Sequence, residues 1–440
     1  MINRKWLRPA NLPVITMFMA WLCLGVWVSP ARPDDDGDDW EGRYVPGEVV
    51  IKLARSSDLS AIAAKFRLDP TPLDQFGSRP IYRMRIIDGA PAPMRARQLA
   101  FDSLRRVVYA EPNYIGQAPE GGARVIWAHG GDSGTYVSQW ARYLIRLPEA
   151  HGITRGAGVT VAVLDTGVDL KHPALAGRLI SGYDFVDMDA DPSEEGAYVR
   201  NIGYGHGTHV AGLIAMAAPE AKIMPVRVLD PDGVGNIWVL AEALAFAVNP
   251  DGNPATNDGA DVINLSLGTL RHTQLISDLI TDAANGDAES SIGYGDDDDD
   301  VVDNNSTIDD GLGVVVIAAA GNRSSYRPEF PAAEDSAGLL SVAASTVTDT
   351  LATFSNRGSW VRVAAPGEMI LSSVPGGLYG TWNGTSMAAP LVAGEAALLR
   401  ARYPKLKSAE VVNLIIQTAK RINGPVPRRI DAAAALGLRR

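Results

Sequence analysis

The chain has 440 residues, 46% of them hydrophobic and 21% charged, with a formal net charge of −11. That length accommodates two or three domains, or one large domain with extensions, and the composition is that of a chain that buries a core. The acidic balance argues against nucleic acid as a partner, because a phosphate backbone asks for a basic face.

Arg4, Lys5 and Arg8 make a basic start, Leu12 to Val28 is almost wholly apolar, and Ser29-Pro30-Ala31 supplies small residues. Residues 1–31 read as a secretory signal peptide, which predicts a secreted (extracellular or periplasmic) protein. The competing reading is an uncleaved membrane anchor, since the apolar run approaches spanning length. Cys23 is the only cysteine and lies inside this run, behind a Leu22 too large for a lipid-attachment site. Without residues 1–31 the chain would carry neither a disulfide nor a thiol. No later stretch is long and apolar enough to span a membrane.

Residues 32–41 are a solvated acidic spacer built on Asp34, Asp35, Asp36, Asp38 and Asp39. A small unit, 42–117, follows. Glu48 to Leu53, Ile81 to Ile86 and Val107 to Tyr114 read as strands, and Asp58 to Phe66 and Met94 to Leu104 have helical spacing. The order β-α-β-α-β predicts a compact α+β domain. Residues 118–138 form a glycine-rich linker. From Gln139 to Arg440 the pattern changes. Val159 to Leu164 is a continuous apolar strand of the fully buried kind, and Lys222 to Val228, Val262 to Leu265, Val314 to Ala319 and Leu339 to Ala343 repeat it. Helical patterns at His206 to Met216, Trp238 to Val248 and Leu275 to Ala284 lie between them, and two more, Ser386 to Tyr403 and Ser408 to Ala419, close the chain. Alternating strands and helices predict an α/β fold with a mostly parallel sheet. Residues 285–310 interrupt the pattern with Asp296 to Asp300, Asp303, Asp309 and Asp310. A solvated loop is the simpler reading of this insertion, and a loose Ca²⁺ site is the functional one, since hard cations take clustered carboxylates.

Three motifs stand at strand–helix junctions. Asp165 follows a buried strand in Asp165-Thr166-Gly167, His206 enters a small-residue helix in Gly205-His206-Gly207-Thr208-His209, and Ser386 begins one in Gly384-Thr385-Ser386-Met387-Ala388. Each alone is an ordinary turn or cap residue. Together, at the carboxyl edge of a parallel sheet, they have the residue types of nucleophilic catalysis. A serine hydroxyl needs a base to take its proton, an imidazole can do so near neutrality, and a buried carboxylate fixes the imidazole's tautomer. Ala318-Ala319-Ala320-Gly321-Asn322 ends a buried strand with an amide side chain that can donate to an oxyanion.

These strings, in the order Asp, His, Ser, resemble the subtilisin-like serine proteases, the subtilases. The resemblance covers about Gln139 to Leu436, and Tyr44 to Tyr114 is similar to the family's inhibitory propeptide, ending in Glu111-Pro112-Asn113-Tyr114. It implies a three-layer α/β fold preceded by that propeptide. It also implies a serine endopeptidase made as a zymogen, with polypeptide substrates, its own propeptide as an intramolecular inhibitor, and a monomeric state. By this resemblance Asp165 orients, His206 is the base, Ser386 attacks, and Asn322 with the Ser386 backbone N–H forms the oxyanion hole. His209 and His172 would be structural. Gly233, Val234 and Gly235 resemble the edge strand that pairs with an extended peptide. Ser266, Leu267 and Gly268 resemble the facing strand, and Ala319, Ala320 and Gly321 another pocket wall. Arg323 would stand at the pocket rim, disfavouring basic residues and tolerating acidic ones unless Glu329 neutralises it. Met387 would be sensitive to oxidation. The connection Ala215 to Ala221 is too short for the family's calcium-binding loop. No cofactor is required for the chemistry, and a structural Ca²⁺ remains open. Self-cleavage would fall between about Asn113 and Ser138. The rival readings are a catalytically dead homologue that binds peptides, and a membrane-anchored acidic surface protein that binds calcium.

Overall fold

The computed structural model describes residues 43–122, 128–129, 131–253, 256–286, 311–426 and 428–438. The expected signal peptide, the acidic spacer and all but the first two residues of the acidic insertion lie outside the described residues.

In the small unit, β1 (Tyr44–Leu53) pairs antiparallel with β2 (Ile81–Arg85) and with β3 (Val107–Gln117). Side chains alternate across a strand, so the sheet has two apolar faces. Val49, Ile51 and Leu53 face α1 (Leu59–Lys65) and α2 (Ala92–Ala100), which bury Ile62, Ala63, Ala96 and Leu99 on them. Val50 and Ile81 belong to a second cluster with Phe76 and Trp238, whose rings meet edge to face at 6.1 Å. The second helix begins two residues before Met94 and stops at Ala100, short of Leu104. Pro93 fits its first turn. Past its end the Asp102 carboxylate accepts from Lys65 and from the backbone and side chain of Arg106. The last strand of the unit runs on to Gln117.

The larger part is built on β4 (Thr160–Asp165), α3 (His206–Ala217), β5 (Lys222–Arg227), β6 (Val234–Asn236), α4 (Ile237–Val248), β7 (Val262–Leu265), α5 (Gln274–Asn285), β8 (Val315–Ala319), β9 (Leu339–Ser345), β10 (Val363–Pro366), α6 (Thr385–Arg402) and α7 (Ser408–Thr418). The main sheet runs 183–184, β5, β4, β7, β8, β9, β10, 428–429, 420–421, and every neighbouring pair is parallel except the last. Its strands are apolar throughout because both faces are covered. Val161 and Val163 of β4, Val262 of β7, and Val315 and Ile317 of β8 pack under α3 and α6. The residues between them, Ala162, Leu164, Ile263, Leu265, Val316 and Ala318, pack under α4 and α5. The result is the expected three-layer α/β arrangement. Three short strands, Val363–Pro366, Ile370–Val374 and Leu378–Trp382, have no counterpart in the sequence reading. Among the described residues no helix is long and apolar enough to cross a membrane.

Candidate active site

The carboxyl edge of the parallel sheet gathers the three motifs. Asp165 is the last residue of β4, His206 the first of α3, and Ser386 the second of α6, while Asn322 lies three residues beyond β8. The close approach of α3 to β4 requires glycine. A Cβ on Gly207 would lie 2.1 Å from the Gly167 carbonyl and 3.1 Å from the Asp165 Cβ.

Asp165, His206 and Ser386 are all fully buried. Asp165 Oδ1 accepts from His206 Nδ1 at 2.6 Å and from the Thr166 N–H at 2.8 Å. Ser266 holds the other end of the site, donating to the Ser386 carbonyl at 3.2 Å. Asn322 is locked by its neighbours. Its Oδ1 accepts from both the N–H and the hydroxyl of Thr385, each at 2.9 Å, which turns Nδ2 toward the site.

What fills the site is Glu120, a residue of the expected linker. Its Oε2 accepts from Ser386 Oγ at 2.8 Å and from His206 Nε2 at 3.0 Å, and its Oε1 accepts from Asn322 Nδ2 at 2.9 Å. The pocket that takes it is open because residue 384 has no side chain. A Cβ there would lie 2.0 Å from Glu120 Oε1. With a carboxylate on each nitrogen, the imidazole donates at both. Burial opposes its charge, but Asp165 and Glu120 together hold His206 well above the ordinary imidazole value.

Glu120 is delivered by strand addition. Ile115, Gly116 and Gln117 at the end of β3 pair antiparallel with Asn236, Gly235 and Val234 of β6. Ala118 N–H donates to the Gly233 carbonyl at 2.9 Å. On the other edge, Gln117 and Gly268 exchange N–H···O bonds of 3.0 and 2.9 Å. A single turn, Pro119–Gly122, then carries Glu120 to the triad residues.

The profile of the subtilase family matches residues 156–433. The chain belongs to the subtilase family. It is a serine-type endopeptidase of that family. It is 33% identical over 397 residues to the thermophilic serine proteinase of Bacillus sp. (strain AK1), covering 87% of this chain and 84% of that protein. It is 35% identical over 297 residues to thermitase of Thermoactinomyces vulgaris, covering 65% of this chain and 90% of thermitase. Among solved structures, fervidolysin from Fervidobacterium pennivorans, a keratinolytic enzyme related to subtilisin, superposes with a TM-score of 0.68 at 25% identity. That match covers 90% of this chain and 61% of fervidolysin, so the chain spans about three fifths of that enzyme's length.

Within this subtilase, Gly233, Val234, Gly235 and Gly268 form the two edges that hold residues 115–118. Leu267 and Gly268 also line a small, half-open apolar cleft beside Gly116, together with Leu229, Ile237, Leu240 and Ile276. Ser266 supports Ser386 and makes no hydrogen bond to the added strand. Ala319 and Ala320 are buried, and Gly321 lies against Glu329, whose Oε2 would meet a Cβ there at 2.3 Å. Arg323 Nε lies 3.4 Å from Glu329 Oε1, so the two charges are paired. Burial pushes the Glu329 carboxyl up, against the pull of Asn356, Arg323 and Arg327. The two histidines expected to be structural are tied to backbone. His209 donates from Nε2 to the Ile370 and Gly380 carbonyls and stacks on Trp382 at 4.7 Å; burial drives it down to about 3. His172 accepts from the Ala174 N–H and donates to the Leu378 carbonyl. Met387 is fully buried beside the serine. Ala218 to Ala221 alone join α3 to β5.

Two acidic residues at the site escaped the sequence reading. Glu120 sits in a glycine-rich linker with no local pattern around it. Glu194 lies in an acidic loop twelve residues before His206 and reaches Thr166 and Thr208. Charge-rich loops carry no periodic signal, so only the folded chain reveals either contact.

Proposed function

We propose that the chain is a secreted endopeptidase, made as a zymogen, that cleaves peptide bonds through Asp165, His206 and Ser386 and an acyl-enzyme intermediate. The observation that carries this is the seat of the Glu120 carboxylate. One oxygen is shared by the hydroxyl of Ser386 and Nε2 of His206, while the other takes the Asn322 amide. Those atoms mark where a reacting carbonyl and its oxyanion would stand, with Glu120 as their stand-in.

With a peptide there, Ser386 Oγ attacks the carbonyl carbon as its proton passes to His206 Nε2. The oxyanion is met by Asn322 Nδ2–H and the Ser386 N–H at the start of α6. Collapse breaks the C–N bond and returns the proton from His206 to the leaving amine. Water repeats the sequence on the acyl-enzyme. Asp165 holds Nδ1–H throughout.

The same observation supports latency. While Glu120 remains, its carboxylate beside Nε2 favours the charged imidazole and so opposes His206 acting as a base. Residues 42–117 serve as the inhibitory propeptide, since their last strand fills the cleft that substrates need. Export rests on residues 1–31, and the mass of the exported form tests it. Wild type expressed beside Ser386→Ala tests the whole reading: wild type should lose the small unit and hydrolyse casein, and the variant should do neither. Two full-length, inactive proteins would overturn it. For specificity, we propose that Arg323 disfavours basic residues before the scissile bond, tempered by its pairing with Glu329. Rates on Glu-, Phe- and Lys-containing peptides decide this, and a Lys preference would contradict it.

A further inference from the structure

Beneath the triad, the first turn of α3 and the loop after β4 are joined by one acidic side chain. Glu194 as a residue is partly exposed, but its carboxyl is enclosed. Oε2 accepts from the N–H of Thr208 at 3.0 Å and from the Thr208 hydroxyl at 2.8 Å. Oε1 lies 2.5 Å from Thr166 Oγ1. Thr166 Oγ1 in turn accepts from the Gly207 N–H at 2.9 Å and lies 3.3 Å from Asp165 Oδ1. The chain of contacts therefore runs from Glu194 through Thr166 to Asp165 and His206.

A hydroxyl has one hydrogen to give. When Glu194 is ionised it takes that hydrogen, because it is the nearer of the two carboxylates. Asp165 Oδ1 is then left with the Thr166 N–H and His206 Nδ1–H alone. When Glu194 is protonated it can donate to Thr166, which already accepts from Gly207 and has a lone pair left. The Thr166 hydrogen then turns to Asp165 and weakens that carboxylate's hold on the imidazolium.

We propose that Glu194 is a positioning residue of this protease: through the Thr166 hydroxyl it sets how many hydrogen bonds Asp165 accepts, and so how basic His206 is. The proposal rests on the serine-protease reading above. The surroundings suit it. Burial, with the charge of Asp165, pushes Glu194 up to about 7, against the Thr166 and Thr208 hydrogen bonds, so both protonation states are reached near neutral pH. The phenols of Tyr198 and Tyr204, raised by burial first, lie near Glu194, as does Asp169, whose N–H donates to the Thr208 hydroxyl. His206 faces Asp165 and Glu120, with His209 on its own helix.

Glu194→Gln copies the protonated state, with Oε1 toward Thr208 and Nε2–H toward Thr166. The test follows the His206 imidazole by ¹⁵N NMR against pH in the Ser386→Ala chain, and the acid limb of kcat/KM in the active protein. Glu194→Gln should lower the His206 midpoint by about 0.5 pH unit, a roughly threefold gain on the acid limb. In a Thr166→Val background the same change should move it by less than about 0.2 unit, since the relay is already cut. Thr166→Ser, which keeps the hydroxyl, should restore the full shift. An unmoved midpoint in Glu194→Gln overturns the proposal. So does a shift of equal size in the Thr166→Val background, because a charge acting through space would persist there. If wild type cleaves nothing, the protease reading fails, while the NMR midpoints still decide on the relay.

Discussion

Replacing Glu120 by alanine should release the precursor. The side chain makes three hydrogen bonds to ionic or site-forming groups, to Ser386, His206 and Asn322, at 2.8, 3.0 and 2.9 Å. Bonds to a charged partner are each worth about 1.5 kcal/mol at the low end. If water replaces one of the three and two are lost, the closed arrangement weakens by about 3 kcal/mol, a roughly 150-fold rise in precursor with an open oxyanion pocket. Removing the second carboxylate also lets His206 fall back toward the neutral base. The assay is the first-order loss of the full-length band, followed at several dilutions so that self-cleavage is separated from cleavage by neighbours. Glu120→Ala should process ten- to a hundredfold faster than wild type, and Glu120→Gln should fall between them. Processing within twofold of wild type, or slower, would refute the idea that this carboxylate restrains the site.

Three further outcomes are expected. The cleft beside Gly116 is apolar and a glycine leaves it empty. Peptides with Phe or Leu at the position of Gly116 should therefore be cleaved roughly tenfold or more better than those with Gly, as burial of a large side chain is worth about 1.5–3 kcal/mol; equal rates would refute this. Glu395 in α6 is fully buried with neither carboxyl oxygen hydrogen-bonded, and burial pushes it up to about 8. Its raised value makes stability fall as pH climbs from about 4.5 to about 8, so Glu395→Gln should raise the melting temperature at pH 8 and leave it nearly unchanged at pH 4. Glu111 of the small unit accepts the N–H groups of Gln274 and Leu275 at the start of α5, and burial lifts it to about 7. Docking of the cleaved unit should therefore be tightest below about pH 4.5 and weaken as pH rises through about 7, and Glu111→Gln should flatten that dependence in a competition assay against peptide substrate.

The parts of the fold that were legible in the sequence are those with local causes. Val161 to Leu164 is apolar because both faces of its strand are covered, and Asp165 follows it directly. His206 and Ser386 sit at helix starts whose small residues reveal them. The small unit's two helices and three main strands were legible from their periodicities. The strands Ile370–Val374 and Leu378–Trp382 were not, because each is only five residues long and neither carries a clear apolar–polar alternation. The occupant of the site was not legible either. Glu120 meets Ser386 across 266 positions of sequence, and that contact exists only because β3 is added to the edge at Val234–Asn236. Glu194 is silent for the same reason, since its partners Thr166 and Thr208 come from two separate elements.

The central claim is that Ser386 is the nucleophile, activated by His206 once Glu120 has left. Treatment of the processed protein with a sulfonyl fluoride, followed by peptide mass spectrometry, reads this directly. The account predicts a single adduct, on Ser386, formed in step with loss of casein hydrolysis and absent from unprocessed precursor. Inactivation without modification of Ser386, or full activity with Ser386 modified, would contradict it.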